Sequence, residues 1–424
     1  MFTPDEAAAA AGPEWLRARR VSAAERFAAT GVPSSEEEVW RYSRIDELEL
    51  DHFSPVSAGA GTAPADPHGD LAFLTTSGAA VLVDGSVVQA ASTVEGLAIG
   101  SLRSADEDLT DDDVGLVAAD GSEPFVDLNL AFAPDVLLVT VGRGVTVRQP
   151  VLISHHLTVE GGATFPRVIV RVGEGSEVTV IERYVSEDIH ALVAPVVELD
   201  IERGGRLNYV ALQELGPRVW QIANQVSRVG QEGTVLAASV ALGGDYARLR
   251  TDCRLEGRGA TGNLLSAYFG EGSQELDFRT FQDHRAPDTT SNLLFKGAVG
   301  DHSRSVYTGL IKVRKEARGT NAFQTNRNIK LSEHAWAESV PNLEIENNDV
   351  HCSHASTVGP IDDEQRFYLE SRGVPPQVAE RLVVAGFFDE VITQIPVAEL
   401  ADPLRRRINA KIDRAALSAD STIA

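Results

Sequence analysis

Two histidines and a cysteine, His351, Cys352 and His354, stand within four residues in the stretch NNDVHCSHASTVG, residues 347–359. A thiolate and a neutral imidazole are ligands of zinc, iron and iron–sulfur clusters, and the same pair can act as a nucleophile with its base. In an extended strand, Cys352 and His354 project from one face, roughly 6.5 to 7 Å apart along the chain, and His351 projects from the other. Two same-face ligands are too few to close a tetrahedral site, so a metal here needs further ligands.

Three interpretations of this cluster stay open at the level of sequence. In the first, a metal site is completed by a second protein or by nearby carboxylates, those of Glu344, Glu346 and Asp349. In the second, Cys352 and His354 form a nucleophile pair, which requires an orienting group and an oxyanion hole that the sequence does not identify. In the third, Cys352 continues the buried parity of Val350 and is inert.

The other histidines and the other cysteine are weaker candidates for a metal or catalytic site. His155 and His156 are adjacent in a predicted strand and point to opposite faces, so they do not converge on one metal. Cys253 has no histidine within fifteen residues, and we interpret it as a small buried apolar side chain. The phosphate-binding patterns GxxxxGK[ST] and GxGxxG after a strand do not occur, so we expect no nucleotide site on this chain.

The composition excludes several classes of partner. Lysine and arginine number 38 against 62 acidic residues, a net charge of −24 over 424 residues. Such a surface repels phosphate backbones and anionic lipid, so we expect neither nucleic-acid nor membrane binding. The two cysteines, without a CxxC pattern, indicate a reducing compartment. The sequence shows no signal-peptide core and no apolar run of membrane-spanning length, so the predicted location is the cytoplasm.

The amino-terminal elements follow from the hydrophobic pattern. Residues 1–54 have helical spacing, with one helix opened by Pro13 and a second that takes Ser35 as its N-cap. Residues 55–70 are small, rich in proline and glycine, and aperiodic, which is typical of a linker.

The long middle region, residues 71–358, alternates short Val/Ile/Leu/Thr runs with glycine turns. Four of these turn glycines repeat at separations of 30, 28 and 26 residues: Gly175, Gly205, Gly233 and Gly259. Loose repetition of strand–turn–strand units favours a β-solenoid, or β-helix, over stacked β-sandwiches.

The helical period returns in residues 359–424. Gly373 follows the first of three predicted helices, Pro376 opens the second, and the third covers about 397–417. The 351–354 cluster is therefore predicted to lie at the junction between the β-helix and the C-terminal helices.

The cluster is embedded in LSEHAWAESVPNLEIENNDVHCSHASTVGPIDDEQRFYLESRGVPPQVAERLVVAGFFDEVI, residues 331–392. Two further stretches are DLNLAFAPDVLLVTVGRGVTVRQPVLI, residues 127–153, and VPSSEEEVWRYSRIDEL, residues 32–48. All three resemble the SufB/SufD family of iron–sulfur cluster assembly proteins, and the resemblance covers nearly the whole chain. The CSHAST ending and the lack of a cysteine before Cys253 resemble the SufD branch more closely than the SufB branch.

The resemblance implies a mainly β fold, a single-stranded right-handed parallel β-helix flanked by N- and C-terminal helical regions. It implies a non-catalytic scaffold that pairs with a SufB-like subunit and with the ABC-type ATPase SufC, which supplies the ATPase activity. No cofactor is expected to be tightly bound in isolation, and a transient iron or iron–sulfur cluster is shared with SufB at the interface. The positions that match the family's ligands are His354 and Cys352, with His351 a weaker match.

The resemblance also implies that residues 359–424 bind the ATPase. The residues that we assign to this contact are Phe367, Tyr368, Arg372, Gly373, Leu382 and Phe387. Two alternatives within the family are a SufB-like paralogue and a homodimeric scaffold that pairs the exposed last strands of the solenoid. A remote alternative is a β-helix enzyme acting on polysaccharides, which would place carboxylates in an open groove.

Overall fold

The chain folds as a mainly β protein with helices at both ends. The computed structural model describes residues 2–421 except 11, 58, 60, 61, 103–113, 120 and 122, with side chains as far as residue 415. The strands, in chain order, are β1 (Ser54–Pro55), β2 (Gly78–Val83), β3 (Ser86–Ser92), β4 (Leu97–Ser101), β5 (Leu137–Val141), β6 (Val151–Leu157), β7 (Gly162–Thr164), β8 (Arg167–Val172), β9 (Glu177–Ser186), β10 (Ala191–Val193), β11 (Val196–Ile201), β12 (Arg206–Glu214), β13 (Val219–Val229), β14 (Thr234–Ala241), β15 (Tyr246–Leu255), β16 (Thr261–Gly270), β17 (Glu275–His284), β18 (Thr290–Val299), β19 (Arg304–Val313), β20 (Thr320–Lys330), β21 (Trp336–Ile345) and β22 (Val350–Gly359). The helices are α1 (Pro4–Ala9), α2 (Glu14–Thr30), α3 (Pro124–Phe132), α4 (Asp363–Glu370), α5 (Pro376–Ile392) and α6 (Ala401–Ser421).

The strands build a parallel β-solenoid of about eight turns, which confirms the predicted fold class. Each turn adds one strand to each of two sheets. The first sheet has the order β21-β19-β17-β15-β13-β11-β8-β5-β4, and the second has the order β22-β20-β18-β16-β14-β12-β9-β6-β2-β3. Neighbouring turns pair in parallel, whereas β4–β5 and β2–β3 at the amino-terminal end pair antiparallel.

Alternation along each strand fills the interior of the solenoid. In β8, Val168, Val170 and Val172 are buried in the central apolar cluster, whereas Arg167 and Ile169 lie on the outer face of the same sheet. Ile169 belongs to a second cluster formed with the amino-terminal helices. Both faces of this strand are therefore buried, which explains its nearly continuous apolar sequence.

A ladder of turns accounts for the glycine repeat. Residues with left-handed φ angles occur once in each of successive turns, at Gly144, Gly175, Gly204, Glu232, Gly259, Asp288 and Gly319. Their N–H groups donate to the next turn; that of Gly175, for example, lies 2.9 Å from the Arg203 carbonyl oxygen. Of the predicted turn glycines, Gly175 and Gly259 occupy this position, and Gly205 and Gly233 directly follow it.

The prediction of a second amino-terminal α-helix from Ser35 is wrong. The segment forms short 3-10 turns instead, at Glu38–Trp40, Ile45–Glu47 and Leu50–His52. Ser35 does not cap a helix, because its N–H and hydroxyl groups both donate to the Asp46 carboxylate. The Arg41 carbonyl accepts a hydrogen bond from Arg279 of β17 at 2.6 Å. The segment thus uses its backbone to bind the first sheet.

One helix, α3, lies within residues 71–358, the predicted β-helix core. Its residues 125–132 are all buried, so its sequence has no amphipathic period that would have indicated a helix. The Asn129 amide donates to the carbonyls of Pro166 and Ala194, each at 2.8 Å, and so fixes α3 to the solenoid.

The C-terminal helices pack on the outer face of the second sheet. Apolar side chains of α5 and α6, among them Phe388 and Leu404, form one cluster with Phe269 of β16. As predicted, α5 begins at Pro376, and Asp362 caps α4 by accepting from two backbone N–H groups. The last helix is predicted to begin at about residue 397. It begins at Ala401, and the residues before it, Ala398–Leu400, form a 3-10 turn.

The predicted region bounds, 1–54, 55–70, 71–358 and 359–424, stay predictions about folding units. Residues 58, 60 and 61 of the linker, 103–113, 120 and 122 of the β region, and 422–424 lie outside the described residues. Among the helices that the structure describes, none combines the length and apolarity needed to cross a membrane.

Candidate functional site

The solenoid ends in two strands with an unpaired edge. In the described chain β21 pairs only with β19, and β22 pairs only with β20. The backbone N–H and C=O groups on the far side of both strands are therefore available to another chain. The cluster at residues 351–354 lies on β22, at this open end.

The register of β22 separates the three predicted ligands. His351, Cys352 and His354 lie beside Asn321, Ala322 and Gln324 of β20, respectively. Cys352 is half-buried and packs against the apolar cluster at the end of the solenoid, formed by Ile311, Val313, Ala317 and Ala322. Two residues along the same strand, His354 shares the face of Cys352 but is exposed, and His351 lies on the opposite face.

The surroundings of Cys352 do not favour its thiolate form. Burial raises the pKa of its thiol, and a hydrogen bond involving the Ala322 backbone only partly opposes that shift. The protonated thiol is a poor nucleophile, and a metal would have to displace its proton. The burial of Cys352 therefore does not favour the nucleophile interpretation.

The nearby carboxylates do not complete a metal site. The Lys312 ammonium group forms an ion pair with the Glu344 carboxylate at 2.7 Å and also lies 3.9 Å from the Glu346 carboxylate. Asp349 lies in the turn before β22, where its backbone N–H donates to the Asn347 side chain at 2.8 Å. Across the described ranges, no three His, Cys, Asp or Glu side chains are grouped so that they could hold a metal ion.

Polar residues beneath β22 were not singled out from the sequence. Gln324, Asn326 and Asn328 occupy alternate buried positions of β20, beside Leu293, Phe295 and Gly297 of β18. The Asn326 amide donates to the Tyr268 hydroxyl at 3.0 Å. Between the two terminal strands, the Ser356 hydroxyl donates to that of Ser339 at 2.7 Å. The signal that could have found this polar end is the period-two spacing of amides in NAFQTNRN.

A second surface contains most of the predicted partner-binding residues. On α4 and α5, Phe367 is 70% exposed, Tyr368 55% and Leu382 49%. The guanidinium of Arg372 lies 3.7 Å from the centre of the Tyr368 ring. Gly373 lies in the turn that follows α4, with a φ of 86°. We call the exposed apolar side chains of these two helices the α4–α5 patch, because exposed apolar surface of this kind marks protein–protein contacts.

Phe387, also predicted to contact the ATPase, is less exposed than these side chains. It is partly buried against the cluster that joins α5 to the second sheet, and Lys296 of β18 lies over its ring at 4.4 Å. The side chain therefore faces the solenoid, and its spacing along α5 from Leu382 does not place it in the exposed patch.

Comparisons with known proteins agree with this architecture. The family model described as SUF system FeS cluster assembly, SufBD core domain, matches residues 155–387, and the SufBD protein N-terminal region model matches residues 5–153. The iron–sulfur cluster assembly protein SufD of Escherichia coli is 30% identical over 389 residues, 90% of each chain. A SufBD family protein of Mycobacterium tuberculosis is 37% identical over 284 residues, 65% of this chain and 71% of that protein. The chloroplastic protein ABCI7 of Arabidopsis thaliana is 26% identical over 93% of this chain and 85% of that protein.

The match thus extends from the amino-terminal helices through the solenoid to α5, and includes both strands of the open end. With the β-solenoid, this identifies the chain as a member of the SufBD family of iron–sulfur cluster assembly proteins.

Proposed function

We propose that this chain is a SufD-type scaffold subunit of the SUF machinery. In this proposal its open end pairs with a SufB-like subunit, and its α4–α5 patch binds a SufC-type ABC ATPase. A nascent iron–sulfur cluster, or the iron that supplies it, is held between the two subunits. The chain itself is non-catalytic, and ATP hydrolysis belongs to the partner.

The observation that carries this proposal is the position of Cys352 and His354. They lie on an unpaired edge strand, they share one face, and the described residues around them do not complete a metal site. A thiol and an imidazole are two of the four ligands that a tetrahedral iron or zinc site needs. Half a site on an unpaired edge fits a site shared with a second subunit.

The same edge would also permit a homodimer, as either a resting form or the working form of the scaffold. The SufB-like partner is preferred because SufD of Escherichia coli matches this chain over 90% of its length. The alternative of a polysaccharide-active β-helix enzyme is disfavoured. Among the described residues, the amino-terminal helices cover part of the outer face of the first sheet, including β8 and β13, and α5 and α6 cover part of that of the second, so these parts of the sheets are closed to a polysaccharide.

The test is pairing through β22. Ala355→Lys and Thr357→Lys place charges on the exposed edge strand without changing Cys352 or His354, and charged edges oppose strand pairing. We expect the double variant to lose co-purification with a co-expressed SufB-like subunit and to retain the ABC ATPase. A matched control is Asn292→Lys, at an exposed position of β18 in the same sheet, two strands from the edge.

Wild-type co-purification by the double lysine variant would overturn the assignment of the open end. Light scattering of the isolated chain distinguishes the homodimer. If the wild type is dimeric and the double variant monomeric, the edge pairs with a second copy in isolation.

A further inference from the structure

Two exposed histidines form a pair outside the site described above. The imidazole rings of His302 and His334 are stacked, with centroids 4.9 Å apart and planes inclined by 12°. His302 lies in the turn before β19, and His334 lies in the turn before β21. Both side chains are exposed, so the contact is made at the surface of the solenoid.

The solenoid repeat creates this pair. Arg304 of β19 is the register partner of Trp336 of β21, and each histidine lies two residues before its strand residue. The two histidines therefore occupy equivalent positions in successive turns, which are spaced about 4.8 Å apart in a parallel ladder. The turns are held together by backbone bonds, since the Trp336 N–H donates to the Ser303 carbonyl at 3.1 Å.

We propose that His302 and His334 form a two-histidine binding site for a first-row divalent transition-metal ion, with water in the remaining positions. Neutral imidazole is a ligand for zinc, iron, nickel and copper. Two imidazoles on one ion place their nitrogens about 2.0–2.1 Å from it, and hence roughly 3 Å from each other. Small rotations about the soft terminal torsions of both side chains bring the stacked rings to that spacing.

The charges around the pair favour a cation. Asp301 and Glu333 are the direct chain neighbours of the two histidines, and the Asp301 carboxylate is held by the Gly272 N–H at 2.8 Å. The cation nearest to His302 in sequence, Arg304, is engaged by other groups: its guanidinium lies 4.6 Å from the centre of the Trp336 ring and 3.3 Å from the Glu275 carboxylate. No third His, Cys, Asp or Glu joins the pair in the described part of the chain, so the bound ion keeps open positions.

The experiment titrates the full-length chain with Zn²⁺ and, separately, Ni²⁺ by calorimetry. It uses the Cys352→Ala, His354→Ala background, so that its outcome does not depend on the proposed cluster site. We expect one ion per chain in this background. His302→Ala and His334→Ala should each weaken binding by at least about tenfold, because changes that merely misorient metal ligands already cost about ten- to a hundredfold.

His52→Ala is the matched control, because His52 is an exposed histidine remote in sequence that faces Glu49 at 2.9 Å. It should leave the affinity unchanged. A second measurement is the melting temperature: Zn²⁺ should raise it in the background variant and not in His302→Ala, since an ion that binds only the native state stabilises that state. Circular dichroism without metal shows that the variants are folded.

Absence of binding up to millimolar ion, unchanged binding in either single variant, or an equal loss in His52→Ala would each overturn the proposal.

Discussion

Lys296 of β18 donates a hydrogen bond to the backbone of Phe387 in α5: its Nζ atom is 3.0 Å from the Phe387 carbonyl oxygen. The same ammonium group lies over the Phe387 ring at 4.4 Å and pairs with the Glu390 carboxylate. The lysine side chain is almost fully buried. A single cation on the second sheet therefore fixes the helix that contains part of the proposed ATPase patch.

Substituting Lys296→Met should destabilise the chain and loosen α5. Methionine retains most of the apolar volume but leaves the Phe387 carbonyl without its charged donor, a loss of about 1.5–3 kcal/mol. Denaturant unfolding would measure the change, and hydrogen exchange would locate it in α5. Lys312→Met, at a more exposed ion pair with Glu344, should cost less than about 1 kcal/mol. If both variants lose the same free energy of unfolding, the hydrogen bond to the Phe387 carbonyl stabilises the protein no more than an exposed ion pair does.

Glu275 should make stability depend on pH. Burial and the neighbouring Asp277 raise the pKa of its carboxyl group to about 7, against the opposing charges of Arg304 and Arg44. In the unfolded chain the Glu275 carboxyl group has its ordinary pKa of 4.5. Between pH 4.5 and pH 7, this carboxyl group therefore keeps its proton in the native state and loses it in the unfolded state. The free energy of unfolding therefore falls as the pH rises through that window. Above pH 7 the destabilisation caused by the buried Glu275 carboxylate is complete.

Glu275→Gln removes this titration. The variant should equal the wild type near pH 4.5 and exceed it at pH 8 by up to roughly 3 kcal/mol. Denaturant unfolding at the two pH values measures the difference, with Glu344→Gln, an exposed carboxylate, as the control that should show no such trend. A variant less stable than the wild type at pH 8 would mean that the Arg304 ion pair outweighs the burial cost.

The exposed patch on α4 and α5 should be needed for ATPase binding. Phe367→Ser with Leu382→Ser removes two large apolar side chains from the surface, and losses at interface hot spots reach about 2 kcal/mol or more, some thirtyfold in affinity. Surface plasmon resonance with the SufC-type ATPase would measure this. Val39→Ser, at an exposed apolar residue of the amino-terminal region, serves as the control. If the double variant binds the ATPase as tightly as the wild type does, the ATPase binds a surface other than the α4–α5 patch.

Cys352→Ala and His354→Ala should each lower the yield of iron–sulfur cluster reconstituted on the complex with the SufB-like subunit, by about tenfold if both are ligands. The absorbance of the reconstituted cluster measures the yield. Ser353→Ala, between them on the opposite face of β22, should have no effect. If only His354→Ala lowers the yield, Cys352 is a packing residue, as its contact with Ala322 would allow.

Alternation was enough to predict that Cys352 and His354 share a face, because β22 is a regular strand. It could not predict the helix α3, whose residues are buried on every side, nor the 3-10 turns after Ser35, whose carbonyls bind arginines far away in sequence. The role of Lys296 was hidden for the same reason. A lysine in the apolar run LLFKGAV can be buried because the Glu390 carboxylate and the Phe387 carbonyl, more than ninety positions later, accept hydrogen bonds from its ammonium group.

The position of β21 and β22 has a consequence for folding as well as for binding. In a solenoid, each turn gains its stability from its interfaces with the turn before and the turn after. The turn made by these two strands has, in the described chain, only the preceding neighbour, so it is the turn with the least nearest-neighbour support. A subunit that pairs with it supplies the missing interface and stabilises the native form of that turn. In the proposed complex, the local order of the strand that contains Cys352 and His354 is linked to association, and we expect these two side chains to reach their final geometry only when the complex forms.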